Sequence, residues 1–310
     1  MSKFHTFKRL IRENRKGIPI AVFDNFVQLG FFRGMTDEQF LKKSFKLKMG
    51  KELNLSDPKT YNEKLQWLKI HDRRPEYTTY VDKYKVRDYI AKTIGEEYLV
   101  PLLGVWDNAE DIQFESLPNQ FVLKCNHDSG SVIICKDKSK FDINEAKKKL
   151  SKCLKKNLYD WCREWPYKNV KPCIIAERYM EDQSTAELRD YKFFCFNGEV
   201  KALFVARDRQ TPNEETKFDF FDADYNHLDF TNGHPNAKQV PEKPSQFELM
   251  KQLAEKLSVG IPHVRVDFYE CNGKIYFGEM TFFHWSGMVP FNPEKWDRTF
   301  GDWIKLPEKE

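Results

Sequence analysis

Arg265, Asp267 and Glu279 are the side chains whose types and spacing most readily do chemistry in this sequence. They lie in Val264-Arg265-Val266-Asp267-Phe268-Tyr269, an Asn272-Gly273 connection, and Lys274-Ile275-Tyr276-Phe277-Gly278-Glu279-Met280-Thr281. An Asn-Gly pair between alternating apolar segments is the strongest short-range hairpin signal, so each carboxylate falls near the middle of a strand. Carboxylates opposed across a hairpin are costly to bury unless a cation lies between them. Hard oxygen ligands on rigid strands, with an arginine two residues before the first, suit magnesium held together with phosphates. A half-buried hairpin whose polar face carries the same three residues explains the pattern equally well.

Other positions share this ambiguity. Lys124 lies inside the apolar run Phe121–Cys125, and Ser129-Gly130-Ser131 follows it closely. An ammonium on a central strand needs an anion, and a small-residue turn offers N–H groups and hydroxyls that wrap a phosphate. An ordinary hairpin with an edge lysine competes with that reading. The turn is neither a Walker loop nor a Gly-x-Gly-x-x-Gly fingerprint. Glu177 stands in the apolar stretch Ile174–Met180, ahead of Arg178 and Tyr179. It reads as a surface carboxylate of a one-sided sheet, or as an acceptor for an adenine amino group. Lys192, two residues after Asp190, sets another cation on an aromatic strand.

The elements that position these groups are mixed. Residues 1–80 read as helical and basic, through Lys8-Arg9, Arg12, Arg15-Lys16 and Lys42 to Lys48, with a break at Gly17-Ile18-Pro19. A solvated charged face is one reading, and peripheral contact with an anionic membrane surface or acidic polymer is the sharper one. Ser56 to Lys64 looks like a helix start. A helix is expected over Lys83–Thr93, strands at Tyr98–Leu103, Gln120–Asn126, Val132–Cys135 and Ile174–Met180, and a basic helix near 143–158. A second Asn-Gly hairpin spans Asp190–Ala206, Thr211–Glu242 reads as loop, and Gln246–Leu257 as helix. Two such hairpins favour an α+β layout with antiparallel sheets over a doubly wound parallel one.

Composition sets the outer bounds. The 310 residues are 40% apolar and 15% aromatic, with 26 Phe, which is a globular balance. A net charge of +4 is too small to argue for a nucleic-acid partner. No apolar run approaches the roughly 20 residues of a membrane span, and Met1-Ser2-Lys3-Phe4-His5 lacks the core of a signal peptide. Seven scattered cysteines without Cys-x-x-Cys, five of them (Cys125, Cys135, Cys173, Cys195 and Cys271) in expected strands, read as a reduced, cytoplasmic protein.

The order of the parts is more specific than any one of them. Asp82-Lys83 opens a helix, Lys124 precedes a Ser-Gly-Ser turn, Glu177 ends a strand, Asp190-x-Lys192 begins a hairpin, and Arg265-x-Asp267 with Glu279 closes the series. This order resembles the ATP-grasp ligases. With Tyr61-Asn62-Glu63-Lys64-Leu65-Gln66-Trp67, Asp82-Lys83-Tyr84 and Pro101-Leu102-Leu103-Gly104-Val105-Trp106, it is similar to their TupA-like branch, found among surface-polysaccharide biosynthesis proteins, over roughly residues 55 to 295.

The resemblance implies two α+β subdomains clasping ATP. These are a lid subdomain at 81–180 and a C-terminal subdomain with the metal site at 181–310, after a helical region at 1–80. It implies that Lys83 and Lys124 contact ATP phosphates under a lid formed by Ser129, Gly130 and Ser131. Glu177 and Tyr179 would hold adenine, while Lys192, introduced by Asp190, would reach the phosphates or the transferred phosphoryl group. Asp267 and Glu279 would bind magnesium, and Arg265 would stabilise the acyl phosphate and the tetrahedral intermediate. Thr281 departs from the pattern, since such ligases carry Asn there, and the usual N-terminal α/β domain is not evident.

The implied reaction is Mg-ATP-dependent amide formation between a carboxylate, a uronic acid of a polysaccharide or its precursor, and an amino acid or similar amine. A sugar-transferring enzyme of the same pathway and a non-catalytic nucleotide-binding module are the competing readings. No Gly-x-Ser-x-Gly or His-Glu-x-x-His supports another chemistry. Phe282-Phe283-His284-Trp285-Ser286 lies where an acceptor could approach: the phenylalanines read as core, Trp285 as a stacking face, and His284 or Arg207 as contacts for a carboxylate.

Overall fold

The computed structural model describes residues 17–183, 188–208 and 214–308. Lys8, Arg9, Arg12, Arg15 and Lys16 of the basic segment, and residues 211–213 of the expected loop, lie outside them.

Helices come first: α1 (Gly17–Gln28), α2 (Asp37–Met49), α3 (Tyr61–His71), α4 (Glu76–Val81) and α5 (Val86–Thr93). Thr36 with Gln39, and Thr60 with Glu63, form reciprocal capping boxes that start α2 and α3. Gly50, at φ 72°, ends α2 in the left-handed conformation that glycine adopts without strain. Strands β1 (Leu102–Trp106), β2 (Phe121–Cys125) and β3 (Ile133–Cys135) lead to α6 (Ile143–Leu154), α7 (Leu158–Cys162) and β4 (Ile174–Arg178). The chain continues as β5 (Asp190–Phe196), β6 (Glu199–Arg207), β7 (Lys217–Asp222), β8 (His227–Leu228), β9 (Thr231–Asn232) and α8 (Phe247–Ser258). It closes with β10 (Val264–Cys271), β11 (Lys274–Thr281), β12 (Phe291–Asn292) and α9 (Lys295–Trp303).

The strands form two main antiparallel sheets, β1-β4-β2-β3 and β11-β10-β5-β6-β7-β8, with β12-β9 as a small third. This is the expected α+β architecture, with a helical region ahead of the sheets. In each main sheet, one face is apolar and backed by a helix. Phe121, Leu123, Cys125, Ile174 and Ala176 share a core with Leu150 and Cys153 of α6. Phe193, Val264, Val266 and Phe268 share one with Phe247, Met250 and Leu253 of α8. Strand alternation then turns Lys124 and Glu177, or Lys192, Arg265 and Asp267, to the opposite face. The charged residues sit where they do because their neighbours are needed for the core.

Helices α3 to α5 join the core of the six-stranded sheet, through Tyr61, Leu65, Tyr77, Val81 and Ile90. Helix α9 docks directly on the start of α3: a Cβ on Gly301 would come within 2.3 Å of the Lys59 carbonyl oxygen. Lys64 Nζ caps the end of α9 at Gly301 and Ile304, 2.8 Å from each carbonyl. Phe282 and Phe283 are core residues, as expected.

Several expectations need correction. The expected break at Gly17-Ile18-Pro19 borders residues outside the described ones; Pro19 itself lies in the first turn of α1, where an N–H is not required. Helix α1 is not basic: Ile18, Val22 and Phe26 are exposed along it, and the lysines belong to α2. Lys83 precedes its helix, because Asp82 Oδ1 accepts from the N–H groups of Tyr84 (2.9 Å) and Lys85 (3.2 Å) and holds a turn there. The strand expected from Tyr98 starts at Leu102, after a short 3-10 turn, and Cys173 lies one residue before β4. Within Thr211–Glu242, Lys217–Asp222 is a strand whose four central residues are buried. All seven cysteines are free thiols. Among the described residues, no helix is long and apolar enough to cross a membrane.

Candidate active site

Residues directly opposite in an antiparallel pair share a face. Asp267 on β10 is opposite both Lys192 on β5 and Glu279 on β11. Arg265 is opposite Thr281, and Asp190 is opposite Tyr269. One face thus gathers Asp190, Lys192, Arg265, Asp267, Glu279 and Thr281. A bulge makes this possible: the register shifts after Asp267, so that Glu279 meets Asp267 while Phe277 meets Phe268 on the core side. The unmatched residue is Gly278, where a Cβ would lie 3.1 Å from the Asp267 carbonyl oxygen.

The cation between the opposed carboxylates is Arg265. Its Nε donates to Asp267 Oδ1 at 2.7 Å, and Nη2 donates to Asp267 Oδ2 at 2.8 Å. Nη2 also reaches Glu279 Oε1 at 3.1 Å and Thr281 Oγ1 at 3.0 Å. Lys192 Nζ bonds Asp267 Oδ2 and lies 2.8 Å from Asp190 Oδ2. Asp267 is 1% exposed, whereas 32% of the Glu279 side chain is open. Burial pushes the Asp267 carboxyl up, against the pull of Arg265 and Lys192. For Arg265, burial opposes the charge, but Asp267, Glu279 and Asp190 outweigh it and hold the guanidinium more firmly protonated. Both Asp267 oxygens accept hydrogen bonds from cations, which favours the charged form against the burial.

His284 positions that arginine. Arg265 Nη1 lies 2.7 Å from His284 Nδ1, and a guanidinium can only donate, so Nδ1 accepts. The ring proton is then on Nε2, which donates to Asn232 Oδ1 at 3.1 Å. Burial, followed by the charge of Arg265, drives the His284 pKa well below its usual value, in keeping with a neutral ring. His263 is neutral for a parallel reason. Its Nδ1 donates to the Cys195 carbonyl at 3.0 Å, its Nε2 accepts from the Tyr61 hydroxyl at 2.9 Å, and burial pushes its pKa down to about 3.

A pH effect follows from these two rings. In the unfolded chain each histidine takes a proton at about pH 6.5, which the folded protein refuses. Stability is therefore expected to fall as the pH drops below about 6.5, by up to about 1.4 kcal/mol per pH unit per histidine. For His263 the fall ends near pH 3. Urea titrations across this range should show it, with one proton fewer in the slope for His263→Asn. A flat midpoint from neutral pH into the acid range would contradict it.

Lys83 ties the four-stranded sheet's turn to this face. Its N–H donates to the Asn126 carbonyl at 3.0 Å, and its Nζ donates to the Asp128 carbonyl at 2.7 Å and lies 3.7 Å from Glu279 Oε2. Lys124 and Glu177 form a second group across β2 and β4, with Nζ 2.6 Å from Oε2 and Arg87 Nη1 3.8 Å from Oε1. Ser129 and Gly130 are exposed on the turn after β2. Ser131 is buried and closes the turn, its Oγ accepting from the Cys125 N–H at 2.7 Å and donating to Asp128. Tyr179 lies under the Lys136 ammonium, 5.7 Å from its ring centroid.

Arg207 does not face this group: its Nη2 donates to the Gln239 carbonyl and lies 3.8 Å from Asp219. Sequence reasoning missed Arg87 and Asn126. The first stands four residues after Lys83, a usable signal. The second bonds Asp82, the Lys171 carbonyl and the Cys173 N–H, long-range contacts with no sequence signature. Among the described residues, no group of three or more His, Cys, Asp or Glu side chains could hold a metal ion unaided.

The TupA-like ATP-grasp profile matches residues 63–305. The chain belongs to the TupA-like ATP-grasp family. No curated protein matches this family member. Among solved structures, it is similar to the D-alanine–D-alanine ligase of Bacillus anthracis complexed with ATP, at 15% identity and a TM-score of 0.40. The alignment covers 73% of this chain and 63% of that one, so the chain spans less than two thirds of that ligase's length. The Helicobacter pylori D-alanine–D-alanine ligase aligns at 15% identity and a TM-score of 0.41, over 79% of this chain and 69% of that one. The ATP-grasp ligase PsnB complexed with minimal precursor, Mg and ADP aligns at 10% identity and a TM-score of 0.38, over 78% and 66%.

Proposed function

We propose that this TupA-like ATP-grasp protein is a Mg-ATP-dependent, ADP-forming carboxylate–amine ligase. Its acceptor would be a uronic acid of a surface polysaccharide or precursor, and its donor an amino acid or similar amine. The observation that carries the reading is the convergence of Lys192, Arg265, Asp267 and Glu279 on one sheet face, with Lys83 bridging to the turn of the other sheet. The four-stranded sheet, within 81–180, would be the lid half, and the six-stranded sheet, within 181–310, the half with the metal site. The helices before residue 80 would brace the second.

The donor set fits magnesium. Two opposed carboxylates and the Thr281 hydroxyl are hard oxygen ligands, and so few protein ligands leave room for phosphates and water. Three hydrogen bonds from Arg265 and Lys192 occupy three of the roughly four lone-pair sites of Asp267, leaving one. Glu279 is the more open partner. Asp267, Glu279 and Thr281 would hold the ion, which supplies charge neutralisation along the phosphates.

A carboxylate oxygen attacks the γ-phosphorus, the bond to the β-bridging oxygen breaks, and ADP leaves. The amine nitrogen then attacks the acyl carbon, the carbon–oxygen bond to phosphate breaks, and the nitrogen loses a proton. Catalysis of this kind is positioning and charge stabilisation. Lys83, Lys124 and Lys192 would hold phosphate oxygens, and Arg265, fixed by His284, would meet the charge on the acyl phosphate and tetrahedral intermediate. Glu177, Tyr179 and Asp190 would complete the nucleotide site under the Ser129-Gly130-Ser131 turn.

Incubation with Mg-ATP, a uronate acceptor and an amino-acid pool tests the reading. ADP release that needs both acceptor and amine supports it, and product formation without ATP consumption points to sugar transfer instead. Lys124→Ala should weaken ATP binding by about 1.5–3 kcal/mol, a lost charge-assisted contact. Unchanged affinity would leave Lys124 as the partner of Glu177 alone.

A further inference from the structure

A cleft of about 250 Å3 opens between α1, α2, α7 and the segment after His284. Its walls include Ser44 and Lys48 of α2, Trp161 and Cys162 of α7, and Trp285 and Ser286. Two of these helices, α1 and α2, belong to the helical region that precedes the sheets. We infer that this cleft binds a single carbohydrate ring of the carboxylate-bearing acceptor, an inference that rests on the ligase reading for the acceptor's identity.

Four observations carry it. The first is size. The cleft is smaller than the roughly 300–1,000 Å3 of sites for drug-sized ligands, so it suits one ring and not a nucleotide.

The second is the pair of aromatic walls. Trp285 is 40% exposed and Trp161 36%. Trp285 is held in place from behind, stacked on Phe218 at 6.1 Å and packed so closely on Gly233 that a Cβ there would lie 2.7 Å from its Nε1. A fixed indole with an open face matches the apolar C–H face of a pyranose.

The third is an unused polar group. Ser44 is 3% exposed, lines the cleft, and its Oγ has no hydrogen-bond partner among the described residues. A buried hydroxyl left unpaired is costly, and a sugar hydroxyl can both donate to it and accept from it. Lys48, paired with Asp24 at 2.8 Å, adds a charged rim.

The fourth is connection to the reacting centre. Trp285 and Ser286 both hold left-handed backbone, at φ 50° and 57°, which costs non-glycine residues energy and persists only where the surroundings enforce it. They are enforced from α3. Lys69 Nζ donates to the Ser286 carbonyl at 2.9 Å and Oγ at 2.7 Å, and Gln66 Nε2 donates to the Ser286 and Gly287 carbonyls at 3.0 and 2.9 Å. The residue before this turn is His284, which holds Arg265. A ring on Trp285 is therefore one residue along the chain from the group that fixes the arginine.

Saturation-transfer NMR on the full chain, with D-glucuronate, D-galacturonate and N-acetyl-D-glucosamine at millimolar concentration, tests this, alongside a separate Mg-ADP titration. Binding of at least one sugar is expected. Trp161→Ala should weaken it about tenfold or more, the scale of one lost stacking face. Ser44→Ala should weaken it less, and both variants should keep wild-type ADP affinity. Trp161 is exposed, so its loss does not threaten the fold, and a native circular dichroism spectrum checks this. No sugar binding, or undiminished binding in Trp161→Ala, overturns the cleft assignment even if ADP binds. Sugar binding without any nucleotide binding would instead sink the ligase reading and leave a carbohydrate site standing.

Discussion

Asp267→Asn is expected to abolish ADP release and also to lower folding stability by about 3–5 kcal/mol, the cost of removing one partner from a buried ionic group. The carboxylate is buried between Arg265 and Lys192, and neutralising it leaves two cations facing each other, with Asp190 and Glu279 as the remaining carboxylates that pair with them among the described residues. Equilibrium urea unfolding followed by circular dichroism measures the loss. Arg265 ties Asp267 to Glu279, so its release should also disorder the hairpin's polar face. If Asp267→Asn unfolds at the wild-type urea concentration, the residue is not the electrostatic centre of this face.

Glu279→Gln should separate catalysis from stability. Glu279 is partly open, and its contact with Arg265 is that of a semi-exposed pair, worth at most about 1 kcal/mol to the fold. In the proposed site its charge would lie where phosphates and metal meet. Losing a preorganised electrostatic contact of this kind costs about 10²–10³ in rate. The expected variant is folded, unfolds close to wild type, and turns over at least about a hundredfold more slowly at saturating substrates. Full activity in Glu279→Gln would remove it from the metal set, and Asp267 and Thr281 could not hold magnesium alone.

The contrast between these carboxylates was only partly legible in the sequence. The Asn272-Gly273 turn and the apolar alternation of Val264, Val266 and Phe268 announce the hairpin, and the face carrying Arg265 and Asp267 follows by counting in twos. Counting fails at Gly278. A period of two puts Phe277 and Glu279 on one face, whereas the bulge sends Phe277 to the core and Glu279 to Asp267. Only the glycine hints at it. The role of Arg265 as the cation between the carboxylates was equally hidden, because an arginine two residues away can turn toward ligand or neighbour alike.

Other misses have local causes. Lys217–Asp222 reads as loop because charges flank its phenylalanines and Phe220-Phe221 interrupts the alternation, yet it pairs fully with β6. Lys83 reads as helical because Asp82 looks like a cap, which it is, but for a turn. The Trp161–Trp285 cleft had no sequence signal, since its walls come from segments far apart in the chain that meet only through tertiary packing.

The central claim is that the charged face of the six-stranded sheet is a magnesium-nucleotide site. Calorimetric titration of the intact protein with ADP, with and without magnesium, tests it most directly, with Glu279→Gln run in parallel. The expected result is binding that tightens markedly with magnesium in the wild type and loses most of that gain in the variant. Equal affinity with and without magnesium, or no nucleotide binding at all, would contradict it.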